Sequence, residues 1–476
     1  MNYLEIIDKN NEEMIGALAD TVKVKSVLDA PVFYGSETLP FGKGVNEVFK
    51  NTLKLGQEMG FEVLNVDNYG GHIEFIGDEK AEETFGILGH LDVVPEGDGW
   101  SHEPYGAIIE NNYMYGRGTT DDKGPMIACL YAMKAIKEAG IVPKKNIRLI
   151  IGLDEETGWK GIYRYLEKVK APDFGITPDA DFPAINGEKG IIDFTIAKKF
   201  SASKLITGLE LSSIKGGNAP NMVPDYARAV LKSDNRDVYE EIKDLGNVFK
   251  KEKDIKINFK GVGKSLEVVV RGISAHGAHP ELGRNAISVM MEFLGKLNFT
   301  FDETNEFIAL YNDKIGYDIY GEKLGIDFID KPSGKLTLNV GMIEMDKKVA
   351  QVVINTRYPV TFSHDDVYKG VEASLSHENV GIIKEKLQEP IYKNPEDEMI
   401  KTLMTVYQKH TSDYESKPIT IGGGTYARAT KNIVAFGGAF PGDEDRMHQK
   451  DERLDLDKFL RMAKIYADAI YELTCV

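Results

Sequence analysis

Two apolar runs, each ending in histidine or acid, constrain this chain most. Thr84-Phe85-Gly86-Ile87-Leu88-Gly89 leads straight into His90, and Ile147 to Leu153 leads into Asp154-Glu155-Glu156. Short runs with so few polar residues read as strands covered on both faces. Between them, about Pro125 to Ala139 has helical spacing and stops at Gly140, a residue that closes helices because it enters the left-handed region freely. Strand, helix, strand with buried strands argues for an α/β layer with helices on both faces. Open sheets of that kind gather ligands just beyond the carboxyl ends of their strands.

The rest of the chain divides around this core. The N-terminal stretch is expected to be helical, with Leu4, Ile7, Met14, Ile15 and Leu18 on one period, and a second helical pattern runs from Gly44 to Met59. His72 to Gly77 reads as a strand. After Gly190 the pattern changes: Ile191 to Lys199, Tyr226 to Ser233 and Ser265 to Gly272 partly alternate, as in an antiparallel sheet with one wet face. Pro390 and Pro395 mark a linker, followed by a helix from about Asp397, a strand Ile433 to Phe436 and a last helix from about Leu456 to Leu473. With 476 residues the chain exceeds one simple core. The expected fold class is α/β. A discontinuous domain, residues 1–188 and 388–476, has a mixed sheet flanked by helices, and an α+β domain, 189–387, is inserted in it.

Charge removes some functions. Asp plus Glu number 75 against 58 Lys plus Arg, a net charge of −17, so the basic footprint of a nucleic-acid binder is missing. The excess acid serves solubility, and carboxylates are also the ligands that hard divalent cations prefer. No apolar run approaches the roughly 18 residues that span a bilayer, and the first residues lack the design of a signal peptide. Cys129 and Cys475 form neither a disulfide framework nor a zinc spacing. The expectation is a cytoplasmic protein with no nucleic-acid or membrane partner.

Five places could carry chemistry. In Gly89-His90-Leu91-Asp92, positions 90 and 92 point the same way in an extended chain. His90 could bind a metal through one ring nitrogen while Asp92 accepts from the other. Gly116-Arg117-Gly118-Thr119-Thr120-Asp121-Asp122-Lys123-Gly124 lets backbone approach a buried site, although Asp there could equally cap a helix; it fits neither a Walker loop nor a dinucleotide fingerprint. Asp154-Glu155-Glu156 could be a solvated acidic face, but it follows a buried strand. Asp179 and the segment Met447-His448-Gln449-Lys450-Asp451-Glu452 say little alone. Together, two histidines and three carboxylates near strand ends form a mixed nitrogen and oxygen set that suits zinc, manganese or cobalt.

At this point the chain resembles a family, the co-catalytic metallopeptidases that include carnosinase, aminoacylase and the bacterial peptidase V dipeptidases. The likeness rests on the segments around His90, Asp121, Glu156 and His448 in that order. Thr177-Pro178-Asp179-Ala180-Asp181-Phe182-Pro183, Asn221-Met222-Val223-Pro224 and Phe440-Pro441-Gly442 resemble the peptidase V branch. It implies a catalytic domain carrying two divalent ions, most simply Zn2+, with Mn2+ or Co2+ as alternatives. His90 and Asp179 would hold one ion, Glu156 and His448 the other, and Asp121 both. Glu155 would be the general base acting on the water between the ions, and Asp92 would orient His90. On the inserted lid domain, His276 would polarise the scissile carbonyl, Asn221 and Arg357 would bind substrate, and Gly423 and Gly424 would line the pocket; His279 is an alternative to His276. The activity implied is hydrolysis of unblocked dipeptides, with deacylation of N-acyl amino acids as the alternative. Dimeric members carry a shorter lid, so a lid of this size implies a monomer that supplies His276 to its own site.

Overall fold

The computed structural model describes residues 2–34, 37–201 and 207–476. They form two compact units: Met1–Asn186 with Lys393–Ile419 and Gly424–Val476, and Gly187–Tyr392 with Thr420–Gly423. The expected cuts at 188 and 388 therefore shift. Gly187 and Glu188 pair with Tyr392 and Ile391, and Lys189 donates its N–H to the carbonyl of Ile421, so these short stretches go with the second unit.

The first unit is built on a mixed sheet. Its strands run in the order Ala184–Glu188, Ile433–Phe436, Phe174–Thr177, Thr84–His90, Asn146–Gly152, Gly70–Phe75, Glu62–Val66. The four from Ile433–Phe436 to Asn146–Gly152 are parallel and the outer ones antiparallel. Every residue of Thr84–His90 is buried, as expected of a central strand with helices on both faces. Helix Lys123–Glu138 is buried along most of its length and ends at Gly140, whose φ is +74°. It shares one core with Leu456–Thr474, Glu398–Thr411 and the N-terminal helices Tyr3–Lys9 and Asn11–Val22. Helix Lys43–Glu58 packs directly on the sheet, where a Cβ on Gly56 would fall 2.6 Å from the Ile73 side chain. Residues 23–31 and 40–42 are not helical. A Cβ on Gly44 would stand 1.9 Å from the Lys25 carbonyl oxygen, so the chain turns back on itself there.

The second unit has an eight-stranded antiparallel sheet in the order Lys256–Val262, Ser265–Arg271, Tyr226–Lys232, Glu210–Gly216, Thr337–Met345, Val349–Tyr358, Gly190–Lys199, Gly381–Gln388. Strand Ser265–Arg271 alternates buried and open positions, the pattern of a sheet with one face against a core. Helices Asp237–Lys253, Ala286–Leu294, Asp302–Lys314 and His364–Ser374 supply residues to that core. Among the described residues no helix is long and apolar enough to cross a membrane.

Candidate metal centre

Three parallel strands of the first unit bring their carboxyl ends to one edge. His90 ends the middle strand, Asp179 follows Phe174–Thr177, and Asp154, Glu155 and Glu156 follow Asn146–Gly152. Parallel register thus turns three distant segments into one cluster. Asp121 enters from the loop ahead of helix Lys123–Glu138. Its Oδ1 lies 3.1 Å from Nε2 of His90 and its Oδ2 2.9 Å from Nε2 of His448. His448 Nε2 is also 3.0 Å from Glu156 Oε1, and His90 Nε2 is 3.6 Å from Asp179 Oδ2. Ligand atoms of His90, Asp121 and Glu156 lie within 4.8 Å of one another, and so do those of His90, Glu155 and Asp179. The adjacent acids Glu155 and Glu156 therefore serve different parts of the cluster.

The electrostatics match a site short of positive charge. Burial pushes the Glu155 carboxyl well above the usual range, with the Asp179 charge adding to it. Burial also raises Glu156 and Asp179. Asp121 goes the other way: against its burial, the imidazoles of His448 and His90 hold its carboxyl low. Asp121 and Glu156 lift the half-exposed His448 to about 11. His90 Nε2 is fully buried and, although close to Asp121, makes no hydrogen bond. A buried imidazole nitrogen without a hydrogen bond, surrounded by carboxylates, is a donor set that fits a divalent cation.

Asp92 stands at the His90 ring and also holds the acidic turn. His90 Nδ1 lies 2.9 Å from the main-chain oxygen of Asp92 and 3.5 Å from its carboxylate. That carboxylate also accepts from the N–H groups of Glu155 and Glu156, each at 3.2 Å. The strand ends at His90, so the alternation that would align the two side chains stops there.

Further residues complete the centre without having been singled out. Asp122 accepts the His90 N–H at 3.1 Å. Asp154 accepts from Lys160 and Gly161 at 2.7 and 2.9 Å, which closes the acidic turn onto helix Lys160–Lys168. Tyr426, fully buried, sets its ring edge-on to His90 at 6.1 Å between centroids. Asp122 and Asp154 were visible as acids beside the candidates; Tyr426 carried no signal beyond its place after the glycines.

The second unit gathers other candidates. Exposed Asn221 and His276 stand on neighbouring segments: Gly277 donates its N–H to the Asn221 carbonyl at 2.7 Å, and Met222 bridges His276. His276 Nδ1 accepts from the Ala278 N–H at 3.3 Å, whereas His279 faces Glu281. Arg357 is buried on strand Val349–Tyr358. Its Nε donates to Asn355 Oδ1 at 2.9 Å, and Asn355 Nδ2 donates to Asp193 Oδ1 at 2.5 Å. Arg357 Nη1 reaches the Gly422 carbonyl at 3.1 Å, and a Cβ on Gly422 would meet Ala278 at 3.0 Å. Arg357 and the His276 turn thus flank the same glycine stretch, which continues into Gly423. Gly424 belongs to the first unit.

A peptidase fold is defined by these features, and the sequence places it: the chain belongs to peptidase family M20/M25/M40, matched over residues 86–472. It is 37% identical over 475 residues to a Bacillus subtilis protein named "Putative dipeptidase YtjP", covering 99% of this chain and 100% of that one. A Staphylococcus epidermidis protein named "Putative dipeptidase" is 35% identical over 478 residues, covering 100% and 99%. Among solved structures, human carnosine dipeptidase 1 superposes with a TM-score of 0.54 at 16% identity, over 99% of this chain and 98% of that one. The di-peptidase Dug1p of Saccharomyces cerevisiae gives 0.55 at 15% identity, over 98% and 97%. These two share the fold. The expected family is thus the right one, and the chain is a hydrolase of peptide bonds.

Proposed function

We propose that the protein is a metal-dependent dipeptidase that cuts unblocked dipeptides, with Glu155 as general base. The observation that carries the reading is Asp121, whose two oxygens face two different imidazoles at 3.1 and 2.9 Å. In this reading His90 and Asp179 would hold one divalent ion, Glu156 and His448 would hold a second, and Asp121 would contribute to both. Zinc suits the donor set, as do manganese and cobalt. When bound, the ions supply Lewis acidity that lowers the pKa of water and polarises a carbonyl.

The chain's own groups do the rest. Glu155, half-buried and fixed through its N–H on Asp92, takes a proton from the attacking water and passes it to the leaving amine. Arg357, held by Asn355, presents a fork to the substrate carboxylate. His276 and Asn221 bind the developing oxyanion and the substrate from the inserted unit, Gly187–Tyr392, which is read as a lid; Gly423 and Gly424 line the pocket. Asp181, two residues from Asp179, is pushed up by burial and by the charges of Asp445, Asp443 and Asp179, and is read as the acid that meets a free amino terminus. That favours dipeptides over N-acyl amino acids, whose deacylation is the second reading of the same centre. We further read the protein as a cytoplasmic monomer, from its free cysteines and its large insert.

The test is a panel of free dipeptides, β-alanyl-histidine among them, against N-acetyl amino acids. Turnover of free dipeptides is expected; turnover confined to the acetylated compounds would assign the deacylase reading instead.

A further inference from the structure

Glu452 is wholly buried four residues after His448, and its carboxylate is saturated with donors. Oε2 accepts from Arg117 Nη1 at 2.7 Å and from the Gly118 N–H at 3.0 Å. Oε1 accepts from the Thr120 N–H and the Thr120 hydroxyl, both at 2.9 Å, and from the Asp121 N–H at 3.3 Å. Successive backbone N–H groups around one anion form a nest. The nest is the loop that delivers Asp121. Gly118 turns through it at φ +89°, where a Cβ would press on Lys123 and Val93 at 2.9 Å. Arg117 completes the clamp: its guanidinium lies 5.2 Å from the Trp100 ring centroid. The carbonyl of Glu452 also takes the Gly116 N–H at 2.9 Å, extending the ladder between Arg453–Asp455 and Tyr113–Tyr115.

We infer that Glu452 is a positioning residue for Asp121, and that the segment from His448 to Glu452 sets both sides of the Asp121–His448 contact. The inference rests on Asp121 being a metal ligand. A carboxylate that must span two partners tolerates little displacement of its backbone. Glu452 fixes that backbone by bonding the N–H of Asp121 itself and of its neighbour Thr120. Outer groups that orient ligands typically change metal affinity about 10–100-fold when altered.

The experiment measures Zn2+ affinity of the metal-stripped full-length protein by competition with a chromophoric chelator, with circular dichroism as the control for folding. Wild type, Glu452→Gln, Thr120→Val and Asp121→Asn are compared. Glu452→Gln keeps the shape but turns an amide toward donors and strips Arg117 of its counter-charge. It is expected to weaken binding about 10–100-fold. Thr120→Val keeps every charge and removes one hydrogen bond to Glu452; a loss of about 3–10-fold is expected, in proportion to one such bond. Folded Glu452→Gln with wild-type affinity would overturn the inference. So would weakening by Glu452→Gln alone, because Thr120→Val would then show a charge acting through space rather than a held position. If Glu452→Gln does not fold, Thr120→Val decides by itself, and unchanged affinity there overturns the inference. If wild type binds no zinc, or Asp121→Asn binds as well as wild type, the metal reading of the centre fails first and takes this inference with it.

Discussion

Glu155 and Glu156 are adjacent yet face different partners, and replacing each should have different effects. Glu155→Gln removes the proposed base while leaving the five proposed ligands. It should lower kcat about 10²–10⁴-fold with bound metal unchanged, read by steady-state kinetics beside metal analysis; undiminished turnover would refute the role. Arg357→Lys loses the planar fork and its bond to Asn355. It should cut kcat/KM for dipeptides about 10–100-fold, the scale of a charge-assisted bond, mainly through KM. Among the proposed ligands, His90, Asp121 and Glu156 sit in short segments with telling neighbours, whereas Asp179 and His448 stood out only in company with them. Glu452, Asn355 and Asp193 were not legible in the sequence. Their partners lie far away along the chain: Arg117 is 335 positions from Glu452, and Asp193 is 162 from Asn355. Asp92 was legible as a participant but not in its actual contacts, because those depend on where the strand ends.

Elements were legible where one period ran long enough. Thr84–His90, Asn146–Gly152, Lys123–Glu138 and Leu456–Thr474 stand within a few residues of expectation. The strand Phe174–Thr177 was not foreseen: it has four residues between Pro172 and Pro178, too few to establish a period. Yet it is the strand that delivers Asp179. Long-range polar contacts between helices were equally invisible. Asp468 on Leu456–Thr474 accepts from Tyr3 at 2.7 Å and from Lys409 and His410 at 2.6 Å, joining three helices. Burial alone would raise its carboxyl, but the bonds from His410, Lys409 and Tyr3 hold it at about 2. A folded-state pKa below the unfolded value of about 3.9 means stability that is present above pH 4 and lost as pH falls toward 2. Asp468→Asn should therefore lower stability at neutral pH and flatten its decline between about pH 4 and 2. Urea unfolding followed by circular dichroism at several pH values checks this; parallel curves for variant and wild type would contradict it.

At the scale of the whole chain, the sequence revealed an α/β domain interrupted by a large insert, because the change from continuous to alternating hydrophobicity at Gly190 is abrupt. It did not reveal that Thr420–Gly423 sorts with the insert, since four residues carry no pattern of their own. If the insert supplies His276 to the active site of its own chain, as proposed, no second subunit is needed. Sedimentation should find a monomer, and specific activity should hold on dilution; a dimer that loses activity when diluted would contradict this. Dipeptide cleavage is proposed to depend on ions held by His90, Asp121, Glu156, Asp179 and His448. Titrating metal-stripped protein with Zn2+ while recording bound metal and dipeptide turnover together tests it most directly. Turnover should be absent at the start and reach its plateau as the second equivalent binds, with both signals lost in Asp121→Asn. Full turnover by the metal-free protein, or an Asp121→Asn variant that binds and works as wild type does, would show that cleavage does not depend on these ions.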